Sequence, residues 1–184
     1  MNRQAFHDFY RETASGVRAY LRLSCKSASL ADDLVQETYL RMLRQPLPAL
    51  GAEQLRAYLY KTAHSVLVDH YRAARRETQW KAEHDTPTAI DGAELDHALE
   101  RADDCVDSLE LPFDMRQVLA SLNAKQRTLL WLAYVEGFKH HEIAEVVGVK
   151  TGSVKVLLSR ARAELAAKLD ERRGAQSVGR RVTR

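Results

Sequence analysis

The residues whose types and spacing point most directly to chemistry lie late in the chain: Lys155, Val156, Ser159, Arg160 and Arg162. At about 100° per residue the first four share one side of a helix, with Arg162 at its margin. Arg and Lys bond guanine edges or phosphates, Ser bonds either, and Val156 offers methyl contact to thymine, so this face suits a DNA major groove. On the other side Val154, Leu157, Leu158, Ala161, Leu165 and Leu169 recur at spacings of three and four and define a buried stripe. Alone, the helix reads equally well as an ordinary amphipathic helix with a solvated charged face.

The elements that must position this helix favour the first reading. Residues 128–135 are apolar almost throughout, and Gly137 stands where a helix stops, because glycine takes the left-handed cap conformation without steric cost. A short helix over residues 140–147 then carries Ile143, Ala144 and Val147 toward a core and ends at Gly148. Thr151 is the expected N-cap of the basic-faced helix. Two helices meeting at a glycine turn and leading into such a helix form a helix-turn-helix.

Composition allows this and excludes other classes. With 45% hydrophobic and 29% charged residues, the 184-residue chain has the make-up of a folded soluble protein. No apolar run approaches bilayer-spanning length, so neither a signal peptide nor a transmembrane helix is expected, and the protein should be cytoplasmic. Cys25 and Cys105 lack a CxxC or a spaced His partner, which predicts free thiols, no metal site and no cofactor.

The net charge of +3 conceals a segregation. Residues 77–110 hold eleven acids against Lys81 and Arg101, leaving the remainder strongly basic, as a polyanionic partner requires. Pro87, Gly92 and small polar residues mark this stretch as an acidic flexible linker. The expected fold is therefore all-α, with two small helical domains joined by that linker. Residues 1–76 form the first domain, 111–173 the second with its helix-turn-helix, and 174–184 a basic tail expected to lack structure.

Helical periodicity covers nearly all of the first domain. Phe6, Phe9, Tyr10, Thr13, Val17, Tyr20 and Leu21 make one stripe. Leu34, Val35, Thr38, Tyr39 and Met42 make another, with Ser29 as candidate N-cap. Leu55, Leu59, Thr62, Val66, His70 and Ala73 line a third helix over about residues 53–76. Pro46, Pro48 and Gly51 make residues 45–52 a shaped loop. The third helix interleaves Arg56, Tyr58, Tyr60, Lys61, Tyr71, Arg72, Arg75 and Arg76. Such a pattern can hold unstacked bases, or its tyrosines can belong to the core beside a solvated basic helix end. On the second helix Asp32, Asp33, Gln36 and Glu37 form an acidic and polar surface suited to a basic protein partner.

In combination these segments resemble an extracytoplasmic-function (ECF) sigma factor of the bacterial sigma-70 family. Residues 31–41 (ADDLVQETYLR) are similar to the polymerase-binding helix of sigma region 2, and residues 56–72 (RAYLYKTAHSVLVDHYR) to its promoter-melting helix. Residues 122–127, Glu136, Gly137, 142–145, Gly148, 152–155, Arg160 and Arg162 follow the region 4 pattern in order and spacing. The chain departs from the pattern where His64 and Ser65 replace a common Arg-Asn pair, and where Tyr58 replaces a common Trp. Lys139 and Lys150 stand where capping residues are usual, and His140 and His141 read as solvated.

The resemblance implies the following roles. Asp33, Gln36 and Glu37 would bind core RNA polymerase. The 45–52 loop, with Leu47 and Leu50 as apolar walls, would capture a base flipped from the minus-ten element, beside Arg56, Lys61, His64, Ser65, Arg72, Arg75 and Arg76. Lys155, Val156, Ser159, Arg160 and Arg162 would read the minus-thirty-five element. The linker would thread toward the RNA exit path, and an anti-sigma protein would be a further partner. The resemblance implies no catalysis, no small-molecule substrate and no membrane insertion. The alternative is a dimeric helix-turn-helix activator or repressor with an N-terminal sensing domain, which would read two half-sites about one helical turn apart. A metal-dependent nuclease built on His84, Asp85 and His97 is the remotest reading, since those residues sit in the linker.

Overall fold

The computed structural model describes residues 3–25, 27–45, 50–81 and 113–182. Among them there is no strand, and the fold is all-α. Three helices, α1 (Arg3–Ser24), α2 (Ala28–Arg44) and α3 (Ala52–Lys81), make the first unit. The second contains α4 (Phe113–Ala120), α5 (Ala124–Leu130), α6 (His140–Val147) and α7 (Thr151–Val182). Between α5 and α6 the helix widens into a π turn over Trp131–Val135.

The expected stripe of α2 is buried in full: Leu34, Val35, Thr38, Tyr39 and Met42 all face the bundle. Its cap is Ser27 rather than Ser29, the Ser27 side chain accepting from the Leu30 N–H at 3.1 Å. Ser27 is in extended conformation, which lets its hydroxyl reach the free amides of the first turn. On α1 Val17, Tyr20 and Leu21 are buried, whereas Tyr10 lies exposed at the rim with its ring against Tyr39.

Two boundaries differ from the expectation. The third helix does not stop at residue 76 but continues to Lys81, because residues 77–81 contain neither glycine nor proline. The last helix likewise runs through the segment expected to be unstructured, as far as Val182. Its two glycines there lower helix propensity without blocking a backbone hydrogen bond, as proline would. The greater part of the acidic linker lies outside the described residues, as do Cys105, His84, Asp85 and His97.

The second unit is fastened at its turns. Asn123 caps α5 by accepting from the Gln126 N–H at 2.8 Å, and the Gln126 side chain returns the bond to the Asn123 N–H at 3.1 Å. Gly137 and Gly148 both adopt positive φ, +70° and +72°, where a side chain would be strained. Lys139, which cannot cap α6 with its own side chain, is compensated by Glu142, whose carboxylate accepts the Lys139 backbone N–H at 2.7 Å. On α6, Ile143, Ala144 and Val146 are buried and Val147 only half so. Arg127 is fully buried and donates to the Ala120 carbonyl at 3.0 Å, tying α5 to the end of α4.

The units share one core. α5 packs on α1, and α6 packs along α3. The buried cluster runs without a break from Val17 and Leu59 to Leu132 and Ile143.

Candidate nucleic-acid interface

α6, the tight turn at Gly148 and α7 form the helix-turn-helix. The Val149 N–H bonds the Ala144 carbonyl at 3.0 Å, and α7 starts at Thr151 itself, which is therefore the first helical residue rather than the cap. Val154, Leu158 and Ala161 anchor α7 against the core, with Leu157, Leu165 and Leu169 half-buried. Lys155, Val156, Ser159, Arg160 and Arg162 are all exposed, Val156 at 51%. Among the described residues no carboxylate pairs with the three cations. They remain available to phosphates or base edges.

α3 presents a second basic stripe. Lys61, Ser65, Arg72 and Arg76 are exposed and, at intervals of four and seven residues, share one face; Arg75 lies beside them in the register. Arg56 and His64 do not join it. The Arg56 guanidinium is bound by the Glu136 carboxylate of the second unit and sits 5.3 Å from the Phe138 ring centre. Nδ1 of His64 lies 2.9 Å from the Tyr20 hydroxyl, and burial depresses its pKa from 6.5 to about 4, so the ring is neutral at physiological pH.

The tyrosines decide between the two readings of the α3 pattern in favour of the core for Tyr60 and Tyr71. Tyr60 and Tyr71 are buried and cannot stack on bases. Tyr60 packs edge-on against Tyr20 and Phe138, and its hydroxyl is held protonated by burial and by Glu136. The Tyr71 hydroxyl donates to the Ser24 carbonyl at 3.1 Å. Tyr58 is half-buried and donates to the Gln45 side chain at 2.7 Å, pinning the start of the loop. At the loop's other end the Gly51 N–H donates to Gln54 at 3.2 Å. Leu50 is half-buried, and Leu47, with the rest of 46–49, lies outside the described residues.

On α2, Asp33 and Gln36 are exposed, and Glu37 is half-buried and holds Arg41 at 2.8 Å. Arg41 also reaches Asp69 of α3 at 2.8 Å, and the two carboxylates raise its already high pKa. Asp32 turns instead to α1, pairing with Arg18 at 3.0 Å and leaving the polar surface. Sequence reasoning missed Leu40 and Leu43, 44% and 56% exposed on the face that carries Asp33 and Gln36. The signal was present: both leucines lie outside the stripe that α2 buries, and an apolar pair ringed by polar groups is what a protein partner covers. The burial of Glu136 and its pairing with Arg56 and Trp131 were also missed, since a buried carboxylate looks like any other acid in sequence.

No group of three or more potential metal ligands occurs among the described residues, and no helix there is long and apolar enough to cross a membrane. The molecule is thus a two-unit helical protein with a helix-turn-helix, a second basic helix and an exposed face on α2 that mixes polar and apolar groups. Residues 9–77 match the model for sigma-70 region 2 and residues 113–165 that for sigma-70 region 4. The chain belongs to the sigma-70 family and is a sigma factor of the ECF type.

It is 29% identical over 170 residues to the RNA polymerase sigma factor YlaC of Bacillus subtilis, covering 89% of this chain and 91% of that one. Over 154 residues it is 29% identical to the ECF sigma factor EcfG of Rhodopseudomonas palustris, covering 83% and 78%. Its fold is similar to sigma factor RpoE in the complex with anti-sigma factor NepR from Bartonella quintana. There the TM-score is 0.62 and the identity 23%, covering 89% of this chain and 97% of that one. CnrH, solved with the cytosolic domain of CnrY, gives a TM-score of 0.53 at 23% identity, covering 92% and 90%. As a sigma factor the protein directs core RNA polymerase to promoters and assists their melting. The first unit matches region 2, and no finding favours a sensing domain or a dimeric regulator.

Proposed function

We propose that the three exposed faces divide the work of initiation. The α2 face, with Asp33, Gln36 and Glu37 extended by Leu40 and Leu43, docks on core polymerase. Lys61, Ser65, Arg72, Arg75 and Arg76 of α3 track the minus-ten strand. The 45–52 loop, with Leu47 and Leu50, holds the flipped base. Lys155, Val156, Ser159, Arg160 and Arg162 of α7 enter the major groove of the minus-thirty-five element. The observation that carries this reading is that both basic faces are exposed while the apolar stripes behind them are buried.

The protein itself performs no chemistry; polymerase supplies the catalysis, and both work in the cytoplasm. An anti-sigma protein is a further partner, supported by the solved complexes of RpoE with NepR and of CnrH with CnrY. Purified protein mixed with core polymerase and a genomic fragment library tests the reading. Discrete transcripts sharing two unlike upstream elements support it, and transcripts identical to those of core enzyme alone exclude it.

A further inference from the structure

The basic stripe of α3 has an acid at its edge. At about 100° per residue, Lys61, Ser65, Arg72 and Arg76 fall within about 60° of the helix circumference, and Asp69 lies about 20° beyond Arg76. Asp69 follows Ser65 by four residues and precedes Arg72 by three, which makes both its neighbours on the helix surface. Its side chain is 48% exposed. A carboxylate so placed can oppose a nucleic-acid backbone in two ways: its charge repels phosphate, and it can draw Arg72 into an ion pair at a spacing that favours one.

Arg41 of α2 prevents both. Its Nη1 donates to Asp69 Oδ2 at 2.8 Å across the seam between the helices, while its Nε donates to Glu37 Oε1 at 2.8 Å on its own helix. Among the described residues neither Arg72 nor Arg76 has a carboxylate partner, and both are exposed. The planar guanidinium presents its donors at fixed angles, so it sets the direction of two carboxylates at once, as an ammonium does not. Ion pairs this exposed contribute little to stability. What Arg41 fixes is where the two acids point. Glu37 belongs to the face assigned to core polymerase, and Asp69 borders the face assigned to the minus-ten strand.

We propose that Arg41 is a positioning residue for promoter opening: by neutralising Asp69 and holding it toward α2, it keeps Arg72 and Arg76 free for the phosphates of the minus-ten strand. Its role rests on the assignment of the α3 stripe to that strand. Arg41 itself touches no nucleic acid and acts through Asp69. Arginine stays protonated at every accessible pH, so the arrangement is permanent rather than a pH switch.

The test uses holoenzyme assembled from core polymerase and saturating full-length sigma factor, so that a change at Glu37 does not limit assembly. The probe is a fluorescent single strand carrying the minus-ten element of a promoter that the wild type transcribes. Arg41→Gln should bind this strand about fivefold more weakly than wild type, with a difference that shrinks as salt is raised. Adding Asp69→Asn should restore binding to within about twofold, because the uncompensated charge is gone. Asp69→Asn alone should bind at least as tightly as wild type. A merely structural bridge gives the opposite pattern, since the double variant lacks the bridge altogether and would bind no better than Arg41→Gln. That result overturns the proposal, as does an Arg41→Gln protein that binds like wild type. If Arg41→Gln does not fold, Asp69→Asn decides alone, and weaker binding than wild type overturns the role of Arg41. Failure of the wild-type holoenzyme to prefer the minus-ten strand over a scrambled one would instead count against the assignment of α3.

Discussion

The Tyr20 hydroxyl and Nδ1 of His64 lie 2.9 Å apart between α1 and α3, and His64, with a pKa of about 4, is held neutral there. In the unfolded chain the ring protonates near 6.5. The unfolded state therefore binds the proton first, and stability falls as pH drops from 6.5 toward 4, by on the order of 3 kcal/mol in total. Above 6.5 the group contributes no pH dependence. Urea unfolding of wild type and His64→Gln across pH 4–8 checks this: the difference in their unfolding free energies should change only below about 6.5.

The α2 face predicts a variant that folds but does not dock. Gln36→Ala with Leu43→Ser removes one polar and one exposed apolar group, at a stability change within about 0.5 kcal/mol. Affinity for core polymerase should fall several-fold, measured by fluorescence titration near the dissociation constant. Unchanged affinity would move the docking surface off α2.

Arg160→Ala should weaken binding to the minus-thirty-five duplex by about 1–3 kcal/mol if the guanidinium bonds a base edge, with little effect on a scrambled duplex. An equal loss on both sequences makes it a phosphate contact. Gel-shift titrations at two salt concentrations separate the outcomes, because a phosphate contact also lowers the salt slope.

Arg127 offers a purely structural test. It is fully buried and bonded to the Ala120 carbonyl, so Arg127→Ala strands that acceptor and opens a void. Thermal unfolding should show a loss of about 2–4 kcal/mol. Arg127→Met, which refills the volume, should recover part of it.

Much of the fold is written in local pattern. The α2 stripe from Leu34 to Met42, the α7 stripe at Val154, Leu158 and Ala161, the exposed face opposite, and the turns at Gly137 and Gly148 all follow from helical periodicity and from the one residue that tolerates positive φ. The exposed cations of α7 were legible for the same reason, since a helix with one buried stripe has its other side determined.

α3 shows where that logic ends. It packs against α1, α2 and α6, so it buries more than one stripe, and Tyr60 and Tyr71 go inward, a choice that the alternation with basic neighbours left open. His64 turns to Tyr20 and Arg56 to Glu136 because of what lies 44 and 80 residues away. Periodicity within one helix says which side is apolar, not which partner arrives or how many. The neutral histidine, the buried Glu136 and the docking of one unit on the other were decided only when distant segments met in a dry interior, where each polar group had to find a partner.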